Sequence, residues 1–381
     1  MGEENTVCLS ACSGYDWEQL RSTVARQFDL LEAEKLLHPG IKVVIKPNLV
    51  VKAGPDAGIA THPLVTAAAA LWLREHGAEV LIAESPGGLY TPAALKAIYG
   101  ACGYLEMSEK FGIPLNYDCS HREVQAPEGR RSRLFPIITP ILEADLVVDI
   151  AKMKSHCMTM LSGAVKNLFG TVPGLMKPEF HCRFPEKPAF NEMLVDLCQL
   201  VKPGLCLVDG ILAMEGNGPT GGKPRFMGVL AAGRNPYTVD MACAAMMNMD
   251  PMQVLMLKDA AGRGLCPSSL KELEFPDQRP EDFLAKDFLQ PESKTSNFIE
   301  RLPKFMQPVA TRLATPYPKI KTVQCIGCGK CAESCPQHTI ALEGQPRKAH
   351  IDYSKCIRCY CCHEMCPAHV IEIKRLSLFK F

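Results

Sequence analysis

Eight cysteines near the C-terminus write one spacing twice. Cys325, Cys328, Cys331 and Cys335 precede Pro336, and Cys356, Cys359, Cys362 and Cys366 precede Pro367. Each run reads C-x2-C-x2-C-x3-C-P, with which a short loop wraps three thiolates around a four-iron, four-sulfur cluster. The fourth thiolate of each run is carried off by the following helix and ligates the other cluster. Cys325, Cys328, Cys331 and Cys366 are therefore assigned to one cluster, and Cys356, Cys359, Cys362 and Cys335 to the other. Two [4Fe–4S] clusters would supply one-electron chemistry. The rival readings are weaker. Zinc sites pair C-x-x-C knuckles across a spacer and need four ligands, whereas each run here adds a third and a fourth cysteine and the whole unit repeats. Disulfides need an oxidising compartment, and the acidic residues 1–10 lack an export signal's charged-then-apolar pattern. Cys361 lies between two ligands but out of register, and reads as a bystander thiol or a spare ligand.

Further chemistry-bearing residues follow apolar runs upstream. They are Lys46-Pro47-Asn48, Thr61-His62-Pro63, Glu84-Ser85-Pro86-Gly87-Gly88, Lys152-Met153-Lys154-Ser155-His156, Asp209-Gly210 and Glu215-Gly216-Asn217-Gly218. The stretch 162–174 sets Lys166 and Asn167 among small residues, where Gly163, Gly170 and Gly174 would let backbone approach an anion. Lys166, His156, His62 and Glu84 are the catalytic candidates. Lys46, Asn48, Asn167 and Asp209 are the candidates for holding a ligand or cofactor. Each has a plainer reading. His62 can merely shape a loop. Asn48 and Asn167 can bond loop backbone. Glu84 and Asp209 can pair with lysines, the alternative being acid–base or metal-ligand work. A buried unpaired Lys is costly, so Lys166 faces either a carboxylate or a bound anion. Lys152, Lys154 and Lys177 nearby make an anionic small molecule the expected substrate class.

The elements that must position these residues alternate between strand-like and helix-like over 41–270. Apolar runs at 41–45, 79–83, 132–138, 146–150, 205–208 and 229–231 read as strands. Thr61 is the expected cap of a helix over 64–75 that Gly77 stops, and 92–99 and 239–249 also read as helices. Such alternation predicts an α/β fold, a mostly parallel, doubly wound sheet covered on both faces, with ligands beyond the carboxyl ends of its strands. A large domain over 1–270 is followed by a linker over 271–320, rich in Pro, Lys and Glu and expected to hold one or two short helices. A small α+β two-cluster module over 321–381 ends in an apolar tail, 376–381, that could dock on the large domain. Gly216-Asn217-Gly218-Pro219-Thr220-Gly221 matches G-x-G-x-x-G, but a strand rather than a helix follows, so it reads as a mobile loop, not a dinucleotide site. The methionines at 241, 246, 247, 249, 252 and 256 read as core.

Bulk composition excludes several classes. With 22% charged residues and a formal net charge of +1, no whole-chain field favours nucleic acid. No apolar run reaches the roughly 18–20 residues of a membrane span. Gly2 begins a permissive myristoylation pattern, weakened by Glu3 and Glu4. Eleven of the 19 cysteines fall outside the two runs, among them Cys198, Cys206 and Cys243. Unpaired thiols beside oxygen-labile clusters suggest a reducing cytoplasm and an anaerobic life.

The stretches Ile45-Lys46-Pro47-Asn48-Leu49, Thr61-His62-Pro63, Ala83-Glu84-Ser85, 152–174 and Val208-Asp209-Gly210 resemble the family called domain of unknown function 362, over roughly 41–265. The resemblance implies an α/β domain often described as an iron–sulfur centre protein, with a bacterial-type two-cluster ferredoxin module as a common companion. It implies no substrate. The spacing of His156 and Lys166 also resembles the lactate racemase family, in which the Lys would hold a nickel-pincer nicotinic acid cofactor covalently; Asn167 and Phe169 depart from that pattern. The expectation is an electron-transfer protein, with a ferredoxin-dependent oxidoreductase as the leading form and a redox partner protein. The alternatives are a non-catalytic docking module for a partner enzyme and a racemase-like enzyme with a nickel-pincer-type cofactor.

Overall fold

The computed structural model describes residues 3–292 and 314–375. Gly2, the middle of the expected linker and the apolar tail over 376–381 lie outside the described residues. Nine strands fall in the large domain: β1 (Val7–Ala11), β2 (Lys42–Pro47), β3 (Glu79–Ile82), β4 (His121–Gln125), β5 (Leu134–Ile138), β6 (Leu146–His156), β7 (Met160–Ser162), β8 (Leu205–Glu215) and β9 (Lys223–Gly233). The main sheet runs β1-β9-β8-β6-β2-β3, with β7 added against the end of β6. Its heart, β8-β6-β2-β3, is parallel, and β9, β1 and β7 pair antiparallel. The mostly parallel α/β fold is as expected.

Alternation along the strands sends apolar side chains to both faces. Val43 and Ile45 of β2, with Val148 and Ile150 of β6, pack under the helices Trp17–Leu30 and Pro63–Glu75. Val44 and Val147 face the opposite way, toward Phe190, Leu194 and Leu197 of the helix Lys187–Val201. Ala151, Val208 and Val229 meet Val239 and Cys243 of the helix Pro236–Met246. The methionine group is core, as expected: Met241, Met246, Met247, Met249 and Met256 are buried and Met252 packs against them.

Several boundaries differ from the sequence reading. β1 and the helix Trp17–Leu30 lie before 41, where no element was expected. β5 belongs to a separate hairpin with β4, because its only sheet partner is that strand. The polar run Lys152 to His156 is not a loop but the second half of β6, buried throughout; its charged heads find partners inside the protein, which removes the reason to end the strand. Thr61 does not cap the helix. His62 does, its Nδ1 accepting from Leu64 N at 3.2 Å, while Thr61 Oγ1 donates to Ile150 O at 2.8 Å. Residues 271–292 are not free linker: Leu273 and Phe288 are buried in the large domain's core and Phe275 and Phe283 pack on it.

The small module opens with β10 (Tyr317–Ile320), a few residues earlier than expected, because β10 pairs antiparallel with β13 (Ile371–Lys374). β11 (Ile340–Glu343) and β12 (Lys348–Ile351) form a second hairpin. Its two halves repeat in backbone as in sequence. Gly327 and Gly329 have positive φ in the first cysteine loop, and Arg358 and Tyr360 have it at the matching places in the second. Both loops thus take the turn that lets three thiolates face one point, although only the first uses residues free of a Cβ penalty.

Candidate functional site

Beyond the carboxyl ends of β2, β3 and β6 lies a cleft of about 780 Å³ counting its open mouth. Among its lining residues are Lys46, Asn48, Glu84, His156, Lys166 and Asn167, so six of the eight residues singled out upstream of the cysteines meet there. Lys46, at the end of β2, is buried and donates to Glu84 Oε2 at 2.5 Å and to Asn167 Oδ1 at 2.8 Å. Asn48 Nδ2 gives the same Asn167 oxygen a second bond at 2.9 Å. Asn167 Nδ2 donates to Asp149 Oδ1 at 2.7 Å. Lys154 bonds Asn48 Oδ1 at 2.7 Å and Ile59 O at 2.9 Å. Lys46, Glu84, Asn48 and Asn167 therefore form one bonded floor. Burial raises Glu84 against the pull of Lys46, and lowers Lys154 strongly. Gly170 must lack a side chain, since a Cβ there would stand 2.3 Å from Glu84 Oε1.

Above this floor the donors are not satisfied. Lys166 is half-buried. Its ammonium lies 4.8 Å from the Phe169 ring centre, and it has no hydrogen bond or ion pair among the described residues. Burial lowers its pKa, with Glu364 opposing. His156 Nδ1 accepts from Met158 N at 3.0 Å, which leaves the proton on Nε2. That atom stands 3.4 Å from Glu364 Oε1, neither completing a hydrogen bond. His181 also lines the cleft, is buried, and leaves Nδ1 without a partner among the described residues. Burial holds both imidazoles neutral, His181 at about 3 and His156 well below its ordinary value.

His62 and Asp209 stand elsewhere. Asp209 pairs with Lys152 at 2.8 Å and accepts from Tyr15 at 3.0 Å and from His62 N at 3.0 Å. His62 stacks on Tyr15 with ring centres 3.8 Å apart. Neither residue lines the cleft. The length of β6 explains the split: Lys152, Lys154 and His156 share a face, and the strand carries them from this closed centre to the cleft.

Sequence reasoning missed three contributors. Asp240 accepts from Ala164 N at 2.7 Å and Val165 N at 3.0 Å, fixing the turn that carries Lys166 and Asn167. A single Asp in the otherwise uncharged helix Pro236–Met246 was the available signal. His181 sat in a segment without periodicity. Glu364 comes from the small module and had no signal.

The small module itself forms one wall. Cys361, Glu364 and Met365 line the cleft together with Ser334. Thr220 Oγ1 donates to Glu364 O at 2.9 Å, and His363 Nε2 lies 2.9 Å from Asn217 O. The glycine-rich loop expected to be mobile is thus a seat for the module. Gly221 fits because a Cβ would lie 2.5 Å from His363 Cε1. Within the module, Cys325, Cys328, Cys331 and Cys366 line one cavity of about 330 Å³ counting adjoining open solvent. Cys335, Cys356, Cys359 and Cys362 line another of the same size. Each is a four-thiol cavity drawn from both runs, the donor set a [4Fe–4S] cluster requires.

Residues 43–245, more than half of the chain, match the family described as "Domain of unknown function (DUF362)". The chain belongs to that family. Residues 324–370 match a 4Fe-4S dicluster domain. Among curated relatives, the "Thylakoid-associated protein sll1697" of Synechocystis sp. is 31% identical over 255 residues, covering 67% of this DUF362 chain and 77% of that protein. Among solved structures, the lactate racemase apoprotein from Thermoanaerobacterium thermosaccharolyticum aligns with a TM-score of 0.41 at 14% identity, over 65% of this chain and 59% of that one. No helix among the described residues is long and apolar enough to cross a membrane.

Proposed function

We propose that this DUF362 protein is an iron–sulfur oxidoreductase acting on a small anionic molecule in the cleft. Two [4Fe–4S] clusters, held by the two four-cysteine sets, would supply single electrons. The observation that carries the reading is the wall: the turn bearing Cys359, Cys361 and Cys362 runs directly into Glu364 and Met365 at the cleft. Electron carrier and ligand site are thus adjacent. The residues of the large domain have divided tasks. Lys166 attracts the anion, and His156 and His181 offer neutral ring nitrogens to it. Lys46, Asn48, Asn167 and Glu84 form the rigid floor, and the seated module excludes water. Six buried thiols outside any disulfide, Cys8, Cys12, Cys102, Cys198, Cys206 and Cys243, support a reducing cytoplasmic setting.

The test is anaerobic purification with iron and sulfide analysis, EPR after dithionite, and turnover of small carboxylates with reduced methyl viologen. Reduced-cluster signals and a viologen-dependent turnover are expected. Cys366→Ala should remove the cluster shared with Cys325, and Cys335→Ala the other, while Cys361→Ala leaves both. An iron-replete sample without reduced-cluster signals would end the proposal. Nickel, or added mass on Lys166, would move the reading to racemase-like chemistry.

A further inference from the structure

The two cysteine-lined cavities face different surroundings. The one with Cys335, Cys356, Cys359 and Cys362 abuts the large domain: Cys182 bonds Pro336 O at 3.5 Å and receives Gln337 Nε2 at 3.1 Å, and Pro336 and Gln337 both line that cavity. The one with Cys325, Cys328, Cys331 and Cys366 opens outward. Cys328 is exposed, Ile326 on its lining is 66% exposed, and Val323 just before it is 92% exposed. Large apolar side chains this bare, set together, mark an interaction surface.

The rim of this opening is basic. Lys319 and Lys321 flank the lining residue Ile320, Lys330 flanks Gly329, and Lys348 flanks Ala349 and bonds Cys325 O. Arg347 is exposed and presses its carbonyl against Gly327. The acids near this rim include Glu372, which pairs with Lys321 and Lys374, Glu333, which pairs with Lys330, and the exposed Glu343 across the hairpin from Lys348. Basic groups therefore remain in excess around an apolar centre.

We propose that this face docks an acidic one-electron carrier protein, so that electrons enter beside Cys328 and leave beside Cys361 at the cleft. The proposal rests on the two-cluster reading above and adds the entry point and the partner's charge. The step is a plain electron transfer: the reduced carrier loses one electron, this chain gains it, and no bond forms or breaks. An apolar centre within a charged ring suits such encounters, which are small and steered by field.

The experiment uses the full holoprotein, oxidised and anaerobic, mixed in a stopped-flow instrument with an acidic flavodoxin reduced to its hydroquinone. Cluster absorbance reports the second-order rate. Val323→Glu and Arg347→Glu should each slow it about tenfold, and the wild-type rate should fall steeply with added salt, as steered association does. Iron content and reduction by dithionite should match wild type in both variants, so that a slower rate reports docking and not a lost cluster, whereas an iron-replete wild type that dithionite does not reduce would count against the cluster reading itself. Flavodoxin rates unchanged in both variants would overturn the docking proposal. So would a dimer in sedimentation that Val323→Glu dissolves, or flotation with anionic-lipid vesicles that Val323→Glu abolishes, since the face would then serve a second copy or a membrane surface.

Discussion

Neighbouring strands β2 and β6 each carry a buried lysine paired with a carboxylate, yet the two centres differ in what is left over. Around Asp209 nothing is. Its oxygens accept from Lys152, Tyr15, His62 N and Ile211 N, so the centre locks the start of one helix to the middle of β8. Around Lys46 and Glu84 the floor is equally bonded, but Lys166, His156 and His181 stand above it with donors or acceptors unspent. A buried ion pair is weak evidence of either stability or function. Unspent polar atoms beside a cleft are stronger evidence, because burial without a partner is costly and a ligand repays it.

The largest expected effect breaks the closed centre. Asp209→Ala leaves the Lys152 ammonium buried with only Tyr15 as acceptor, and should cost about 3–5 kcal/mol. Anaerobic urea unfolding followed by far-UV circular dichroism measures it. Glu84→Ala should cost less, because Lys46 keeps Asn167 Oδ1 and Pro47 O as acceptors. Equal losses in the two variants would erase the distinction between a locked centre and a working floor.

Next comes the residue without a partner. Lys166→Met removes an ammonium that no carboxylate in the described residues bonds, so stability should stay within about 0.5 kcal/mol of wild type. Ligand affinity should fall roughly 10- to 100-fold, the worth of a hydrogen bond to a charged group, about 1.5–3 kcal/mol. Titration calorimetry with a carboxylate that the wild type turns over reads the affinity. A variant that unfolds early but binds normally would mean that Lys166 serves the fold rather than the site.

Much of this was legible in the residues. The cysteine spacing groups the eight thiols as the two cavities do, because each wrapping loop is local geometry and the run repeats. Lys46, Asn48 and Glu84 were legible because polar residues after apolar runs sit at strand ends, and Lys166 because it is a charge set among small residues. Other parts were not. The second half of β6 looked like a loop, since Lys152 and Lys154 become strand residues only once Asp209 and Asn48, far away in sequence, receive their ammonium groups. His62 and Asp209 share the polar signature of the cleft residues, and only distance along the strand separates them. Glu364 enters from another domain, and no local pattern records where a module docks.

Asp240 offers the smallest but most specific test, because it acts on the site from behind. Its carboxylate holds Ala164 N and Val165 N, and Gly163 leaves it room, since a Cβ there would lie 2.0 Å from Oδ1. Burial nonetheless raises its pKa from 3.8 to about 7, outweighing those two donors. A carboxyl raised in the fold binds its proton more tightly folded than unfolded. Its contribution to stability is therefore full below pH ~4 and is lost as pH rises toward about 7, then flat. Between pH 5.5 and 8 the wild type should lose about 2 kcal/mol on this account, from roughly 1.5 pH units at 1.36 kcal/mol each. Asp240→Asn cannot titrate and should lack that slope. Its amide oxygen still accepts one N–H, while its NH2 meets the other, so the variant should be about 1–3 kcal/mol less stable at pH 5.5. The two stability curves should then converge toward pH 8. Urea unfolding of both proteins at the two pH values decides it: parallel curves would show that Asp240 stays ionised throughout and that the turn carrying Lys166 is held by a carboxylate at every pH.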